Sequence, residues 1–280
     1  MNQIYLDRMN IEGRVCVVTG GSGLLGRRHA EAIIEGGGIP VLVARNLKGL
    51  EKTKDTLVEE YGEGITVELA SADITDKESL NALRQALLDK YGHIDVLINN
   101  AAANPKVEGG SKNLGAIRFT DFPLEMWNQD IAVGLTGAFL CSQVFGEQME
   151  KQGSGVILNI SSDYGLISPD QRIYRKEGIP DDQQVIKPVS YPVVKHAIIG
   201  LTKYLATYWA DKGIRVNTLC PASLYNGQDE EFVSNISKLV PMGRMSRPDE
   251  YVCTILYMIS DAATYMTGST VVIDGGRTIW

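Results

Sequence analysis

Short apolar runs rich in valine, isoleucine and leucine recur along the whole chain of 280 residues. The run at 14–19, RVCVVT, is apolar almost throughout instead of alternating, which predicts a strand buried on both faces. The same pattern predicts further strands at 39–44, 65–71, 94–100, 155–161, 214–219 and 269–274.

Segments with apolar residues at helical spacing separate these runs. They predict helices at 24–36, 47–61, 76–91, 124–151, 189–212 and 248–260. Strands that alternate with amphipathic helices predict an α/β fold, in which helices cover both faces of a parallel sheet. Because no change in composition marks a boundary, residues 1–280 are expected to form a single domain. Two long polar stretches, 101–123 and 163–188, interrupt the alternation, and such loops are usually functional or mobile.

Composition excludes several classes of function. The formal net charge of −7 and the pI near 5.1 argue against nucleic acid or an anionic membrane as a main partner. No apolar run approaches the ~20 residues of a membrane span, and the N-terminal sequence lacks the apolar core of a secretory signal. Four widely spaced cysteines form no CxxC pair, which predicts reduced thiols in a cytoplasmic protein. His29, His93 and His196 are not spaced as metal ligands, so no metal site is expected.

A glycine-rich turn, TGGSGLLG at 19–26, connects the first predicted strand to the first helix. Glycines there let the backbone approach a pyrophosphate, and the helix N-terminus offers N–H groups and the positive end of its dipole. The turn therefore indicates a dinucleotide site, with a simple tight turn as the alternative.

The end of the second predicted strand bears on the choice of cofactor. Arg45 follows Ala44 there, where an acidic residue would favour NAD. A guanidinium suits a 2′-phosphate, so the sequence predicts NADP, with NAD as the second possibility. The alternative is that Arg45 is a solvated residue at the start of the next helix.

Polar residues also follow the third, fourth and fifth predicted strands. Asp73 could hydrogen-bond an adenine amino group, or cap the helix that begins near Asp76. Asn99 and Asn100 are expected to bond across neighbouring strands. Ser162 lies where open α/β sheets bind ligands, and its hydroxyl could donate to a substrate oxygen. The alternative for Ser162 is an ordinary loop serine.

Tyr191 and Lys195 are four residues apart and share one face of a predicted helix. A free tyrosine has a pKa of about 10, which is too high for easy proton exchange at neutral pH. The ammonium alongside is expected to favour the phenolate and to lower this pKa. Tyr191 is therefore a candidate proton donor or acceptor.

In chain order the sequence has the glycine-rich turn, NNA at 99–101, the serine after the fifth strand, YxxxK and a closing DGG. Together these motifs resemble the short-chain dehydrogenase/reductase superfamily, in its compact branch with YxxxK, over residues 12–276. The resemblance implies a single Rossmann-type domain with a seven-stranded parallel sheet, a nicotinamide cofactor and hydride exchange between carbonyl and alcohol. It implies that Tyr191 is the acid/base, that Lys195 binds the nicotinamide ribose, and that Ser162 orients the reacting oxygen.

The resemblance also implies a set of cofactor-binding residues at the carboxyl ends of the strands. This set comprises Gly20, Ser22, Gly23, Leu25, Gly26, Arg45, Asp73, Ile74, Asn100, Ala101, Tyr191, Lys195 and Pro221.

Three positions depart from the family pattern. Leu24 stands where the compact branch usually has the middle glycine of the turn. Gly134 replaces the helix asparagine that usually anchors a water in a relay to the lysine. Pro221–Ala222 replaces the usual Pro-Gly, which leaves the contacts to the nicotinamide carboxamide open.

Tyr191 follows Ser162 by 29 residues, more than is usual in the family, so residues 166–186 are interpreted as an insertion beside the active site. The insertion is predicted to form a lid or wall, with Arg172, Tyr174 or Arg175 facing the space for a small polar substrate. Together with YNGQDEEFV, the insertion resembles reductases of bacterial sugar and glycan-modification pathways. The alternative is a surface loop that packs on a neighbouring subunit.

The resulting hypothesis is an NADP-preferring oxidoreductase that acts on a small polar carbonyl or alcohol, such as a sugar derivative. The alternative is a nicotinamide-binding regulatory protein with weak or no catalysis, which only Gly134 favours. The helices at 124–151 and 189–212 carry apolar residues on more than one face. The resemblance implies a homodimer or homotetramer joined through these helices.

Overall fold

The computed structural model describes residues 6–102 and 118–280. Within them, seven parallel strands form one sheet in the order β3-β2-β1-β4-β5-β6-β7. The strands are β1 Val15–Thr19, β2 Ile39–Ala44, β3 Glu68–Ser71, β4 Val96–Asn99, β5 Gly155–Ile160, β6 Ile214–Pro221 and β7 Thr270–Ile273. The strand order reverses between β1 and β4, and open sheets of this type bind ligands in the crevice that forms there.

Helices cover both faces of this sheet. They are α1 Leu24–Glu35, α2 Leu47–Tyr61, α3 Lys77–Tyr91, α4 Leu124–Ile131, α5 Gly137–Gln152, α6 Ser190–Tyr208, α7 Glu230–Ser237 and α8 Val252–Ile259. Alternate residues of β1 enter different cores, with Cys16 and Val18 in one and Val15 and Val17 in the other. The predicted single α/β domain is therefore confirmed, although the edge strands β3 and β7 are only partly buried.

The predicted helix at 124–151 is not continuous. A π-helical turn, Ala132–Thr136, separates α4 from α5 and places one extra residue in the helical turn around Gly134. The apolar periodicity of 124–151 did not predict this break. The short helix α7 was not predicted, since its eight residues give little periodic signal.

The insertion is folded on the body of the domain. It contains the 3₁₀ turns Gln171–Tyr174 and Asp181–Gln183, and it follows a 3₁₀ turn at Asp163–Gly165. Tyr174 packs in a small apolar cluster with Ile236 of α7 and with Met245. Most of the other polar stretch, at 103–117, lies outside the described residues.

Candidate active site

The glycine-rich turn is packed so tightly that side chains are excluded from it. Gly20 has a φ of +68°, and a Cβ there would lie 3.0 Å from Cα of Ala101. A Cβ on Gly26 would collide with the carbonyl oxygen of Gly20. Gly23 is the N-cap of α1 and provides no side-chain cap, so the first backbone N–H groups of the helix are left for a ligand such as a pyrophosphate. This backbone geometry fits a dinucleotide.

Asparagines at the end of β4 hold the turn and the neighbouring strands together. Asn100 Nδ2 donates to the carbonyl oxygens of Thr19 (2.9 Å) and Gly20 (3.2 Å). Asn100 Oδ1 lies 3.2 Å from Nε2 of His29, and burial lowers the pKa of His29 to about 4, so this imidazole is neutral. Asn99 Nδ2 donates to Asn159 Oδ1 of β5 at 2.8 Å. The predicted cross-strand role of both asparagines is confirmed.

The capping alternative for Asp73 is wrong. Helix α3 is capped by Asp76, whose carboxylate accepts from the backbone N–H of Glu78. Asp73 instead accepts from the backbone N–H and the hydroxyl of Thr75, at 2.9 and 2.7 Å. These bonds, and then the charge of Arg45, hold the pKa of Asp73 below its usual value. Asp73 and the exposed Arg45 therefore lie near each other at the carboxyl edge of β2 and β3.

A cleft of about 940 Å³ opens at the carboxyl edge of the sheet, in front of the glycine-rich turn. It brings together most of the predicted site residues. Those on its walls are Gly20, Ser22, Gly23, Leu25, Asn100, Ala101, Ser162, Tyr174, Tyr191, Lys195 and Pro221. The predicted residues Gly26, Arg45, Asp73, Ile74, Arg172 and Arg175 are not on these walls.

Helix α6 carries Tyr191 and Lys195. Hydrogen bonds to α4 and to the segment after β5 hold its first turns in place. Ser190 donates a hydrogen bond to the buried carboxylate of Asp130 in α4. Ser161, after β5, donates to the backbone carbonyl of Lys195 at 2.7 Å. These contacts hold the phenol of Tyr191 beside the end of β5, where Ser162 lies.

Lys195 is buried, with 5% of its surface exposed. Its Nζ donates to the carbonyl oxygen of Ile160 at 2.9 Å and lies 5.7 Å from the ring centre of Tyr191. Burial lowers the pKa of Lys195 to about 8. The lysine therefore shares a face with the tyrosine, as predicted, but its resolved hydrogen bond goes to the backbone.

The expectation that Lys195 lowers the pKa of Tyr191 is wrong in this structure. Burial raises the pKa of Tyr191 to about 12, and the negative charge of Asp163 adds to the increase. The side chain of Ser162 acts against this increase without reversing it. Desolvation of the phenolate is therefore the dominant effect, and spacing along a helix could not reveal it.

Asp163 is a site residue that sequence reasoning missed. It lies on the wall of the cleft and is almost fully buried. Its Oδ1 accepts a hydrogen bond from the hydroxyl of Ser162 at 2.6 Å. The backbone N–H of Tyr164 donates to the same oxygen at 2.9 Å. In the sequence, the only indication of this role was that an acidic residue follows the candidate serine directly.

The insertion supplies one wall of the cleft, but not through its arginines. The ring of Tyr174 lies 5.5 Å from that of Phe232, and its hydroxyl lies 3.3 Å from that of Tyr164. Arg172 pairs with Asp170 at 2.7 Å, and 82% of its side chain is exposed. Arg175 is also exposed and points to Asp181 at 3.7 Å. The prediction that a guanidinium faces the cleft is corrected, because both side chains turn to acidic neighbours at the surface.

Other cationic and polar groups line the cleft instead of these arginines. Lys176 and Lys187 line the cleft, and Nζ of Lys187 lies 4.0 Å from the ring centre of Tyr191. Lys176 pairs with Asp229, which also lines the cleft, at 3.6 Å. Ser223 has a φ of +52°, and its buried hydroxyl has no hydrogen-bond partner among the described residues, so it could serve a ligand next to Pro221.

Neither a group of metal-ligating side chains nor a membrane-spanning helix occurs within residues 6–102 and 118–280. No three His, Cys, Asp or Glu side chains there are grouped as metal ligands would be. No helix in the same part of the chain is both long enough and apolar enough to cross a membrane.

Taken together, the backbone cradle at Gly20–Gly26 and the tyrosine–lysine pair across the cleft define a nicotinamide-dependent oxidoreductase. Residues 14–174 match the family model for short chain dehydrogenases, and residues 180–278 match the model for enoyl-(acyl carrier protein) reductase. The chain belongs to the short-chain dehydrogenase/reductase family and is an NAD(P)-dependent enzyme of that family.

Similar proteins include several that are named for polyols or sugar acids. The chain is 32% identical to the NAD-dependent glycerol dehydrogenase of Listeria innocua, over 96% of each protein. It is 30% identical to the galactitol 2-dehydrogenase of Rhizobium johnstonii, over 99% of each. A gluconate 5-dehydrogenase from Burkholderia cenocepacia, solved with NADP and tartrate, has a TM-score of 0.80 and 26% identity, over 98% of this chain and 99% of that one.

Proposed function

We propose that this enzyme exchanges a hydride between NADP(H) and a small polar alcohol or carbonyl compound, such as a sugar alcohol or another sugar derivative. The observation that carries the proposal is the chemistry of the cleft beside Tyr191. Polar and charged side chains on its walls include Asp163, Lys176, Asn226, Gln228 and Asp229, beside apolar residues such as Leu224, Ile236 and Met245. Carboxylate, amide and ammonium groups can both accept and donate hydrogen bonds to several hydroxyls, whereas an acyl chain or a steroid would leave them unpaired. The similarity to glycerol and galactitol dehydrogenases supports the same substrate class.

Each residue has a role that follows from its position. The backbone at Gly20–Gly26 would hold the pyrophosphate, and Lys195 would bind the nicotinamide ribose. The nicotinamide supplies the hydride acceptor or donor when bound. Tyr191 exchanges a proton with the reacting oxygen, and Ser162 orients that oxygen next to the phenol. The hydroxyl of Ser223 is a candidate partner for the carboxamide, which the Pro221–Ala222 sequence left without an assigned contact.

The test is turnover with a panel of polyols, sugar acids and keto sugars, in both directions and with both cofactors. Tyr191→Phe keeps the ring and removes the exchangeable proton, so turnover should fall by at least ~10²-fold. Cofactor binding, measured by nicotinamide fluorescence, should be unchanged in this variant. Unchanged turnover would contradict the role of Tyr191. Tight cofactor binding without turnover of any compound would favour the regulatory alternative.

NADP preference is the more specific part of the proposal. Arg45 is exposed at the end of β2, and Ala44 before it offers no carboxylate to the adenosine ribose. Proteins similar to this one include an NAD-dependent enzyme and a structure with NADP, so direct titration must decide between the two cofactors.

We also propose a homodimer or homotetramer joined through α4–α5 and α6. Large side chains on these helices are exposed in the single chain: Phe139, Val193, Tyr204 and Tyr208. The rings of Tyr204 and Tyr208 stack with centres 6.0 Å apart, which makes a continuous aromatic surface on α6. A second copy of the chain would cover it. The cysteines are all free, three of them buried, in keeping with the cytoplasmic location that we propose.

A further inference from the structure

The cations in and next to the insertion fall into two sets. Arg172 and Arg175 are exposed, and each turns to an acidic neighbour at the surface. Lys176 and Lys187 line the cleft, and Nζ of Lys187 lies 4.0 Å from the ring centre of Tyr191. The phenol oxygen is attached to the edge of that ring, so a substrate that reacts there has an ammonium group within reach. This segment therefore brings positive charge to the reacting end of the cleft.

Two glutamines fix the backbone of these lysines. The backbone N–H of Lys187 donates to Oε1 of Gln171 at 2.8 Å, and Nε2 of that glutamine donates to the carbonyl oxygen of Lys187 at 3.4 Å. Gln184 makes the same pair of bonds with Lys176, both at 2.8 Å. Gln184 is itself buried and also donates to the carbonyl oxygen of Ile179 at 2.6 Å. Because both lysines are attached to a fixed backbone, less conformational freedom is lost when their ammonium groups bind a ligand.

Positive charge is in excess on the walls of the cleft, although the whole chain carries a formal net charge of −7. Within the described part of the chain, the lysines and carboxylates on these walls are Lys176, Lys187, Lys195, Asp163 and Asp229. Both carboxylates are already engaged. Asp163 Oδ1 accepts from the hydroxyl of Ser162 at 2.6 Å, and Asp229 Oδ1 caps α7 through the backbone N–H of Phe232 at 3.0 Å. A bound anion would balance the remaining positive charge.

Both ammonium groups can bind an anion at little cost. Nζ of Lys176 lies 3.6 Å from Oδ2 of Asp229, which is too long for a well-formed hydrogen bond, and half of this lysine side chain is exposed. An exposed pair of this kind contributes little to stability, so the ammonium can turn to a ligand. Burial lowers the pKa of Lys195, and the positive charge of Lys187 adds to this effect. An anion beside Lys187 would reduce the repulsion between these two ammonium groups.

We propose that Lys187, together with Lys176, binds an oxyanion of the substrate, a carboxylate or a phosphate, while the substrate reacts beside Tyr191. The inference rests on the proposed hydride transfer and narrows its substrate class to an anionic sugar derivative, such as a sugar acid or a sugar phosphate. An ammonium has three rotatable donors, so it can bind either a planar carboxylate or a tetrahedral phosphate. Binding of the anion would also orient the reacting carbon next to the phenol.

The test compares three compounds with the same six-carbon chain: D-glucitol, D-gluconate and D-glucitol 6-phosphate. Each is titrated into the complex of the enzyme with the reduced nicotinamide cofactor that binds more tightly. An alcohol cannot transfer a hydride to a reduced cofactor, so binding is measured without turnover. At least one of the two anions should bind about tenfold or more tightly than D-glucitol, because the neutral compound lacks the charge-assisted hydrogen bond. The anion that binds more tightly identifies the group as a carboxylate or a phosphate.

Lys187→Met keeps the length of the side chain and removes its charge. In this variant the ratio of the Kd of D-glucitol to the Kd of the preferred anion should fall at least about tenfold. The ratio is the readout because general damage to the fold weakens the binding of all three compounds. Lys187→Arg keeps a positive charge and should restore most of the ratio, and Lys176→Met should lower it to a smaller extent. Lys203→Met, which changes an exposed lysine of α6, should match the wild type.

The inference is overturned if the wild type binds D-glucitol as tightly as both anions, or if Lys187→Met leaves the ratio unchanged. With these results, an enzyme that oxidises D-glucitol or another neutral polyol still supports the proposed function. An enzyme that binds an anion through Lys187 but turns over no polyol, sugar acid or keto sugar would contradict the proposed function and leave only the anion-binding role of Lys187. The two conclusions can therefore fail separately.

Discussion

Gly134 and Val194 face each other where the π-helical turn meets α6, so closely that a Cβ at residue 134 would lie 2.6 Å from Cγ1 of the valine. The family usually has an asparagine at the position of Gly134. Here the valine fills that space directly before Lys195, so the two residues act as a pair. Restoring the asparagine alone would therefore overpack the contact.

Gly134→Asn should destabilise the enzyme by about 1–3 kcal/mol, because Val194 cannot move out of the way without cost. Gly134→Asn combined with Val194→Ala should be more stable than the sum of the single changes predicts, by at least about 1 kcal/mol. Urea unfolding of the four proteins measures this coupling. Strictly additive effects would mean that the two residues do not compete for the same space.

Lys195 should make stability depend on pH in the alkaline range. Its pKa is lowered from 10.5 to about 8, so between these values the unfolded chain binds more protons than the folded one. Stability therefore rises with pH across this window, and the penalty for burying the ammonium applies in full below it. The unfolding free energy of wild type minus that of Lys195→Met should increase from pH 7 to 10.5, by about 2–3 kcal/mol.

Lys203→Met is the matched control for this measurement, since Lys203 is an exposed lysine on the same helix. The difference in unfolding free energy between wild type and Lys203→Met should not change between pH 7 and 10.5. If the difference between wild type and Lys195→Met is also independent of pH, the ammonium of Lys195 is not desolvated.

Cofactor choice should depend on residues 44 and 45. A charge-assisted hydrogen bond from Arg45 to a 2′-phosphate should make NADPH bind at least about tenfold more tightly than NADH. Ala44→Asp with Arg45→Ser should reverse the order, because a carboxylate accepts from the ribose hydroxyls and repels the phosphate. Lys48→Ser, one turn further on and also exposed, should leave the preference unchanged. A wild type that prefers NADH in fluorescence titration would show that Arg45 is only a surface residue.

The insertion should act on the substrate through Tyr174. Tyr174→Ala removes a ring from the cleft wall, and KM for the polyol should rise about tenfold while the cofactor Kd stays the same. Tyr174→Phe keeps the packing on Phe232 but loses the hydroxyl contact to Tyr164, so its KM should be intermediate. Arg172→Ala changes a side chain of the same segment that points away, and it should match the wild type. Equal KM values for Tyr174→Ala and Arg172→Ala would contradict this role.

Assembly should depend on the aromatic surface of α6. Light scattering at micromolar concentration should give the mass of a dimer or tetramer for the wild type. Tyr204→Glu with Tyr208→Glu should shift it towards the monomer, because carboxylates would have to be desolvated in the interface. Tyr265→Glu, a fully exposed tyrosine near the start of β7, should leave the mass unchanged. A monomeric wild type would refute the proposed assembly.

Local pattern and chain order were enough to predict several features of this protein. Apolar runs predicted the strands, the glycine-rich turn predicted the cradle at β1, and the spacing of Tyr191 and Lys195 placed them on one helix face. These features are local, because the periodicity of strands and helices and the backbone freedom of glycine involve only a few neighbouring residues.

Other features depend on burial and on partners that are distant along the chain, and these became visible only in the folded protein. The tertiary structure showed that Lys195 donates to Ile160, that burial raises the pKa of Tyr191, and that the arginines of the insertion turn outward. It also placed the Asp163 carboxylate in the cleft wall, where a sequence shows only an acid after a serine. The physical reason is that the free energy of a charge is set by its solvation and its neighbours in space, and neither can be read from a linear pattern.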